Sequence, residues 1–261
     1  MFKRIVIIVV ALVSFSCNES PEATPIVQKS CIKVGILGDS ISTFLGEICN
    51  DEYGCYYPTY DPNTQAGGDV SKAVDAKEKT WWWKLIYDYM WEAELDINSS
   101  WAGSTIIHKT MTGDKTGVVM WSGFIDRYAD FNNPDIIFIH GGTNDLNKKS
   151  PLGEFDFNLA IENLDDTKFR SAYIKLIKSL KFFYADVKIV LIIGDALKNT
   201  DYGSSILTIA DYFALPCVDF RDDNIPKCKG SHPNAQGFDF MAKKIAYVCK
   251  EYIPTIYTPQ E

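Results

Sequence analysis

Ile32-Lys33-Val34-Gly35-Ile36-Leu37 runs directly into Gly38-Asp39-Ser40-Ile41-Ser42. An apolar run this short, rich in Ile and Val, reads as a strand buried on both faces, as in a parallel sheet. The small residue, acid and serine that follow sit on the turn leaving that strand, a position that holds a hydroxyl in the open. Four further segments read as strands of the same kind: Leu95–Asn98, Asp135–His140, Lys188–Ile193 and Pro216–Asp219. Helical patterns lie between them. Thr80 is placed to cap a helix from Trp81 to Glu94, in which Trp81, Trp82 and Trp83 cannot all face a core. Shorter or longer patterns cover Phe124–Ala129, Thr167–Tyr184, Ser204–Phe213 and Ala235–Cys249. Thr167–Tyr184 carries Phe169, Tyr173, Leu176, Ile177 and Leu180 as an apolar stripe with lysines opposite. Strands alternating with helices predict an α/β sandwich.

Four segments follow predicted strands or open the last helix: Gly38-Asp39-Ser40, Trp101-Ala102-Gly103-Ser104, Gly141-Gly142-Thr143-Asn144-Asp145 and Ser231-His232-Pro233-Asn234. Strand ends of one parallel sheet share an edge, so the four segments can converge. A serine is a poor nucleophile without a base and a pocket for the oxyanion. His232 can be the base. Gly103 offers a backbone N–H with no Cβ in the way, and Asn144 offers a neutral donor. The bland readings are a helix cap for Ser40 and ordinary turns for Gly103 and Asn144. Asp39 and Asp145 read as acceptors for nearby backbone groups. His140, at a strand end, reads as a core histidine with one nitrogen bonded to backbone. His108, in a loop, is a weaker candidate for substrate contact.

These four blocks, in this order, resemble the SGNH (GDSL) hydrolases over roughly residues 32 to 250. The resemblance implies a three-layer α/β/α, flavodoxin-like sandwich with a five-stranded parallel sheet. It implies Ser40 as nucleophile, Gly103 and Asn144 as oxyanion donors, and His232 as base. One position departs from the family. Where members carry an aspartate three residues before the histidine, this chain has Lys229, and a lysine cannot accept an imidazole N–H. Either Asp222 or Asp223 replaces it, or a backbone carbonyl orients the ring in a Ser-His dyad.

The chain has 261 residues, 46% of them apolar, enough for one sizeable core. No Pro/Ser/Gly-rich linker or repeat divides its interior. A formal charge of −8 argues against nucleic acid as a partner.

The N-terminus reads as a targeting segment. Lys3 and Arg4 precede an apolar stretch, Ile5–Val13, too short to span a bilayer. Ser14-Phe15-Ser16-Cys17 follows and looks like a bacterial lipoprotein signal, with Ser14 where the usual pattern prefers leucine. The expected organisation is a signal over 1–17 ending at a lipidated Cys17, a flexible polar tether over 18–30, and a hydrolase domain over 31–261. That predicts an exported, membrane-anchored lipoprotein on the periplasmic or cell-surface side. An ordinary secretory signal is the alternative. Six further cysteines fit an oxidising compartment, and Cys49 with Cys55, flanking a short Gly-containing loop, is the expected disulfide. No CxxC spacing points to zinc, and the expected chemistry needs no metal or cofactor.

Two long connections, Glu47–Lys79 and Gly103–Trp121, leave sheet ends near the candidate site. Their aromatic residues suit sugar faces or, equally, satellite core packing. The expected function is a serine esterase that removes small acyl groups, such as acetyl, from a glycan. The alternatives are a lipase or lysophospholipase-type acyl hydrolase and a non-catalytic glycan-binding lipoprotein.

Overall fold

The structure, a computed structural model, describes residues 31–49, 54–56, 58, 69–108, 111–112, 119–121 and 123–257. Five parallel strands form the central sheet: β1 (Ile32–Gly38), β2 (Ala93–Ser100), β5 (Ile136–His140), β6 (Lys188–Ile193) and β7 (Cys217–Asp219). Their order is β2-β1-β5-β6-β7. The connection direction reverses between β1 and β5, and a crevice opens at such a switch point beyond the carboxyl ends of the strands. Two short pairs lie outside this sheet. They are β3 (Met111–Thr112) with β4 (Val119–Trp121), and β8 (Lys227–Lys229) with β9 (His232–Pro233).

Among the described residues there are five α-helices: α1 (Trp81–Asp88), α2 (Thr143–Lys148), α3 (Phe169–Phe183), α4 (Asp201–Phe213) and α5 (Ala235–Cys249). Strand side chains alternate between two cores, as the period of two requires. Val34, Ile36, Ile136, Phe138, Val190 and Ile192 face a core built with α1 and α5. Leu37, Ile137, Ile139, Ile189, Leu191 and Ile193 face a second core built with α3 and α4. The result is the expected three-layer α/β/α sandwich.

Local chemistry sets the element ends. Thr80 accepts from Trp83 N and caps α1; Asn234 accepts from Gly237 N at 2.9 Å and caps α5. The helix expected to reach Glu94 stops at Asp88. The chain then turns through Glu92, at φ +48°, into β2, which is longer than expected and pairs with β1 from Ala93 onward. The sheet thus claims residues that helical periodicity assigned to α1. The tryptophan triplet divides as expected: Trp81 and Trp82 are buried, while the Trp83 ring packs against Tyr87 and under Lys77. The segment expected as a helix over Phe124–Ala129 is a single 3-10 turn, Phe124–Asp126.

Among the described residues no helix is long and apolar enough to cross a membrane. The signal and tether expectations over 1–30 lie outside the described residues, as do Tyr53, Tyr57, Tyr60, Gly67 and Gly68 of the first long loop.

Candidate active site

Each candidate residue stands where a sheet element ends. Ser40 opens a one-turn 3-10 helix, Ser40–Ser42, immediately beyond β1. Asp39 caps that turn: its Oδ1 accepts from Ile41 N at 3.0 Å. Ser40 is therefore the first helical residue and its aspartate neighbour the cap. Gly38 lies at the point of closest approach, because a Cβ there would meet Ser42 and Ser100 atoms at 2.5 to 2.7 Å. Gly103 follows β2 in a turn closed by Ser104 N donating to Trp101 O at 3.2 Å. Its φ of +77° is the left-handed third position of a type II turn, which a glycine takes without strain. Asn144 lies in the first turn of α2, just after β5.

His232 comes from further away. It sits on β9, paired with β8, past the end of β7. Its Nε2 lies 2.9 Å from Ser40 Oγ, across 192 residues of sequence. That is hydrogen-bond distance, and it is the proton path that a serine nucleophile needs. Asn144 Nδ2 donates to Ser104 O at 3.0 Å and has a long contact, 3.5 Å, with Asp39 Oδ2. Asn144 thus bridges the Ser104 carbonyl and the Asp39 carboxyl next to Ser40, and the turn holding Gly103 is tied to the helix holding Asn144. All four sequence-derived candidates are brought to the same edge of the sheet.

Burial controls the nearby charges. Asp39 is fully buried, and desolvation pushes its carboxyl up to about 7 despite the Ile41 N–H that favours the charged form. Asp145, equally buried, is pushed up to about 6 by the same cause while its Oδ2 accepts from Ile106 N at 2.8 Å. Both aspartates are backbone acceptors, as expected. His140 is buried at the end of β5 and held near neutrality, with its pKa depressed to about 4 by desolvation. It departs from expectation in one respect: its Nδ1 has no hydrogen-bond partner, so it is a core histidine against the Trp81 ring edge, not a satisfied one. His108 Nδ1 lies 2.5 Å from Asp126 Oδ1, which draws its pKa upward.

One residue at the centre of this region has no motif around it. Arg127 is fully buried, and desolvation lowers its pKa to about 10. Its guanidinium donates to Gly38 O at 3.3 Å, Ser104 Oγ at 2.8 Å, Ser99 Oγ at 3.2 Å and the Ser99 carbonyl. It thereby joins the ends of β1 and β2 to the Gly103 turn.

The hairpin under His232 is fixed by other groups. Tyr56, buried in the first long loop, donates from its hydroxyl to Pro233 O at 2.9 Å, and its ring packs edge-on to His232. Cys228 Sγ contacts the His232 and Pro233 carbonyls at 3.4 and 3.6 Å. Lys227 Nζ pairs with Asp195 at 2.5 Å. One expectation is corrected here, and one of two open alternatives is set aside. Cys49 and Cys55 form no disulfide: Cys49 Sγ faces Asn98 O at 3.7 Å, while Cys55 Sγ sits 3.8 Å from His232 Nε2. Asp222 and Asp223 are engaged elsewhere. Asp222, 95% exposed, pairs with Lys198 at 3.2 Å, and Asp223 pairs with Lys244.

Beside His232 opens a cavity of about 730 Å³, lined by Cys55, Tyr56, Thr143, Leu146, Asn147 and Ser231 among others. Nothing formally charged, His232 aside, is among the described residues of its wall.

The sequence model of the GDSL-like lipase/acylhydrolase family matches residues 32–249. The chain belongs to this family. Membership makes it a carboxylic ester hydrolase, and the Ser40–His232 geometry is of the kind such a GDSL-like hydrolase requires. Among solved structures it is similar to one from Bacteroides ovatus described as a GDSL-like lipase. That pair shares 28% identity over 85% of this chain and 100% of the other, with a TM-score of 0.70. A second GDSL-like lipase structure, from Bacteroides uniformis, shares 29% identity over 87% and 98%, with a TM-score of 0.67. A family two carbohydrate esterase from Cellvibrio japonicus has the same fold at 15% identity over 84% and 61%, with a TM-score of 0.52. No curated protein matches the chain.

Proposed function

We propose that this GDSL-like hydrolase is a serine esterase that removes acetyl or other small acyl groups from a carbohydrate. Ser40 Oγ attacks the ester carbonyl while His232 Nε2, 2.9 Å away, takes its proton. The developing oxyanion is held by the backbone N–H groups of Ser40 and Gly103 and by the Asn144 amide. His232 then returns the proton to the leaving alcohol, and water hydrolyses the acyl-enzyme by the reverse path.

The observation that carries the reading is the Ser40–His232 contact beside a wide cavity whose described wall residues, His232 aside, carry no formal charge. The leaving alcohol must lie next to Nε2 to receive its proton, so the cavity on the His232 side takes the alcohol part of the ester. Its volume suits a sugar unit, and its neutral hydroxyl and amide groups suit hydroxyls over a phosphate or carboxylate headgroup. The fold shared with a family two carbohydrate esterase supports the same choice. Lys3, Arg4, the Ile5–Val13 stretch and Cys17 support export and lipid anchoring as part of this proposal.

Hydrolysis of p-nitrophenyl esters from two to twelve carbons, repeated on acetylated polysaccharides, tests it. The expected result is a preference for the shortest acyl chains together with acetate release from the polysaccharide. Preference for long chains with no acetate release would overturn the carbohydrate assignment.

A further inference from the structure

We propose that Lys148 is a positioning residue for the oxyanion hole, acting through Gly103; this rests on the catalytic reading above. The last turn of α2 brings the Lys148 ammonium to the carbonyl of Gly103, to which it donates. Asn144 and Lys148 are four residues apart and share a helix face. From that face Asn144 holds the Ser104 carbonyl at 3.0 Å while Lys148 holds the Gly103 carbonyl. Asp145 of the same helix takes Ile106 N at 2.8 Å. Three side chains of one short helix therefore grip the backbone of residues 103–106 from one side.

This grip has a specific consequence for the N–H that the reaction uses. The turn Trp101–Ser104 carries Gly103 at φ +77°. In a type II turn the central peptide, here Ala102–Gly103, is flipped relative to type I, so the Gly103 N–H points the other way. Glycine is free to adopt either form. The flip turns ψ of residue 102 and φ of residue 103 in opposite senses and leaves the flanking peptides nearly in place, so a hold on the Gly103 carbonyl fixes where the turn, and the N–H it carries, sits relative to Asn144. A charged donor on the carbonyl is a strong restraint, so Lys148 fixes the position of the glycine whose N–H faces the oxyanion. Glycine supplies the geometry and the lysine fixes it. An ammonium held this way also raises the positive potential beside the forming oxyanion.

The test uses the full chain with p-nitrophenyl acetate, and compares Lys148→Met, Lys148→Arg and Asn144→Ala with the parent. Lys148→Met is expected to lower kcat by about tenfold or more with KM changed less than about twofold, since the restraint acts on the transition state. The rate of Ser40 labelling by a fluorophosphonate should fall in parallel. Lys148→Arg, which keeps a charged donor of similar reach, should restore most of the loss. Lys148→Met should also keep the thermal midpoint of the parent, which a merely structural lysine would not; should it fail to fold, Lys148→Gln is measured in its place. Unchanged kcat in that variant, or a loss that arginine does not relieve, overturns the proposal. Asn144→Ala separates the two levels. Its retaining full activity sinks the oxyanion assignment itself, whereas a slow Asn144→Ala beside a fully active Lys148→Met removes only the role of Lys148.

Discussion

The two halves of the candidate site are held in different ways. Ser40, Gly103 and Asn144 stand on a parallel sheet and its first turns, and a buried polar network joins them: Arg127 to Gly38, Ser99 and Ser104, and Asn144 to Ser104. His232 stands on a hairpin of two very short strands, half-buried, pinned by Tyr56, Cys228 and an ion pair at its base. The sheet side is rigid because opening it would strip partners from buried carbonyls. The histidine side rests on a few replaceable contacts. The base is therefore the part of the machinery that mutation can displace without unfolding the protein.

Arg127 gives the largest expected effect on that contrast. Arg127→Met removes the guanidinium from the Ser99 carbonyl and the Ser104 hydroxyl and takes one of two donors from the Gly38 carbonyl, which keeps Trp101 N, and should cost about 3 kcal/mol or more of stability. Urea unfolding checks this, and a midpoint equal to the parent's would mean the network does not hold the sheet side.

His140 gives an effect of similar size with a pH signature. Its pKa is near 6.5 in the unfolded chain and about 4 in the folded one. Between those values the unfolded chain binds more protons at this histidine, so its own contribution to stability falls as pH drops from about 6.5 to about 4, against the opposite contribution of Asp39 and Asp145, whose raised pKa values give the folded chain more protons over that range. The histidine's part is about 3 kcal/mol at 1.36 kcal/mol per pKa unit. His140→Phe should remove that contribution, so that the variant gains stability relative to the parent as pH drops through this range, while leaving the neutral-pH rate largely intact. An unchanged acid limb would show that His140 is not the group responsible.

On the histidine side the effects are smaller and fall on rate. Tyr56→Phe removes the hydroxyl on Pro233 O and should cost about 1 kcal/mol of stability. It should lower kcat several-fold by loosening the hairpin under His232. Asp222→Ala should change kcat by less than about twofold, because an exposed ion pair contributes little. A loss of a hundredfold or more would return Asp222 to the site and revise the account of the hairpin.

The same contrast explains what could be read from the sequence. The sheet was legible because Ile32–Gly38, Asp135–His140 and Lys188–Ile193 are apolar runs of strand length, and their ends coincide with the observed strands to within a residue. Ser40, Gly103 and Asn144 were legible because each follows such a run, and His232 because Asn234 caps a recognisable final helix. Arg127 was not, since a buried arginine carries no local pattern; apart from Gly123 O, its side-chain partners lie 23 to 89 residues away. The six-residue helix α2 was hidden for a related reason: too short for a periodic stripe, it begins at Gly142 in the left-handed region without a side-chain cap. The expected Cys49–Cys55 disulfide rested on spacing alone, and spacing does not report which way a thiol points.

A double-variant cycle tests the central claim most directly, namely that Ser40 and His232 act as one unit across the two halves. Ester hydrolysis is measured for Ser40→Ala, His232→Ala and the pair. Each single variant should lose about four orders of magnitude or more in kcat, and the pair should be no slower than either alone, because residues acting as a unit are not additive. Substantial activity in Ser40→Ala, or losses that multiply in the pair, would contradict it.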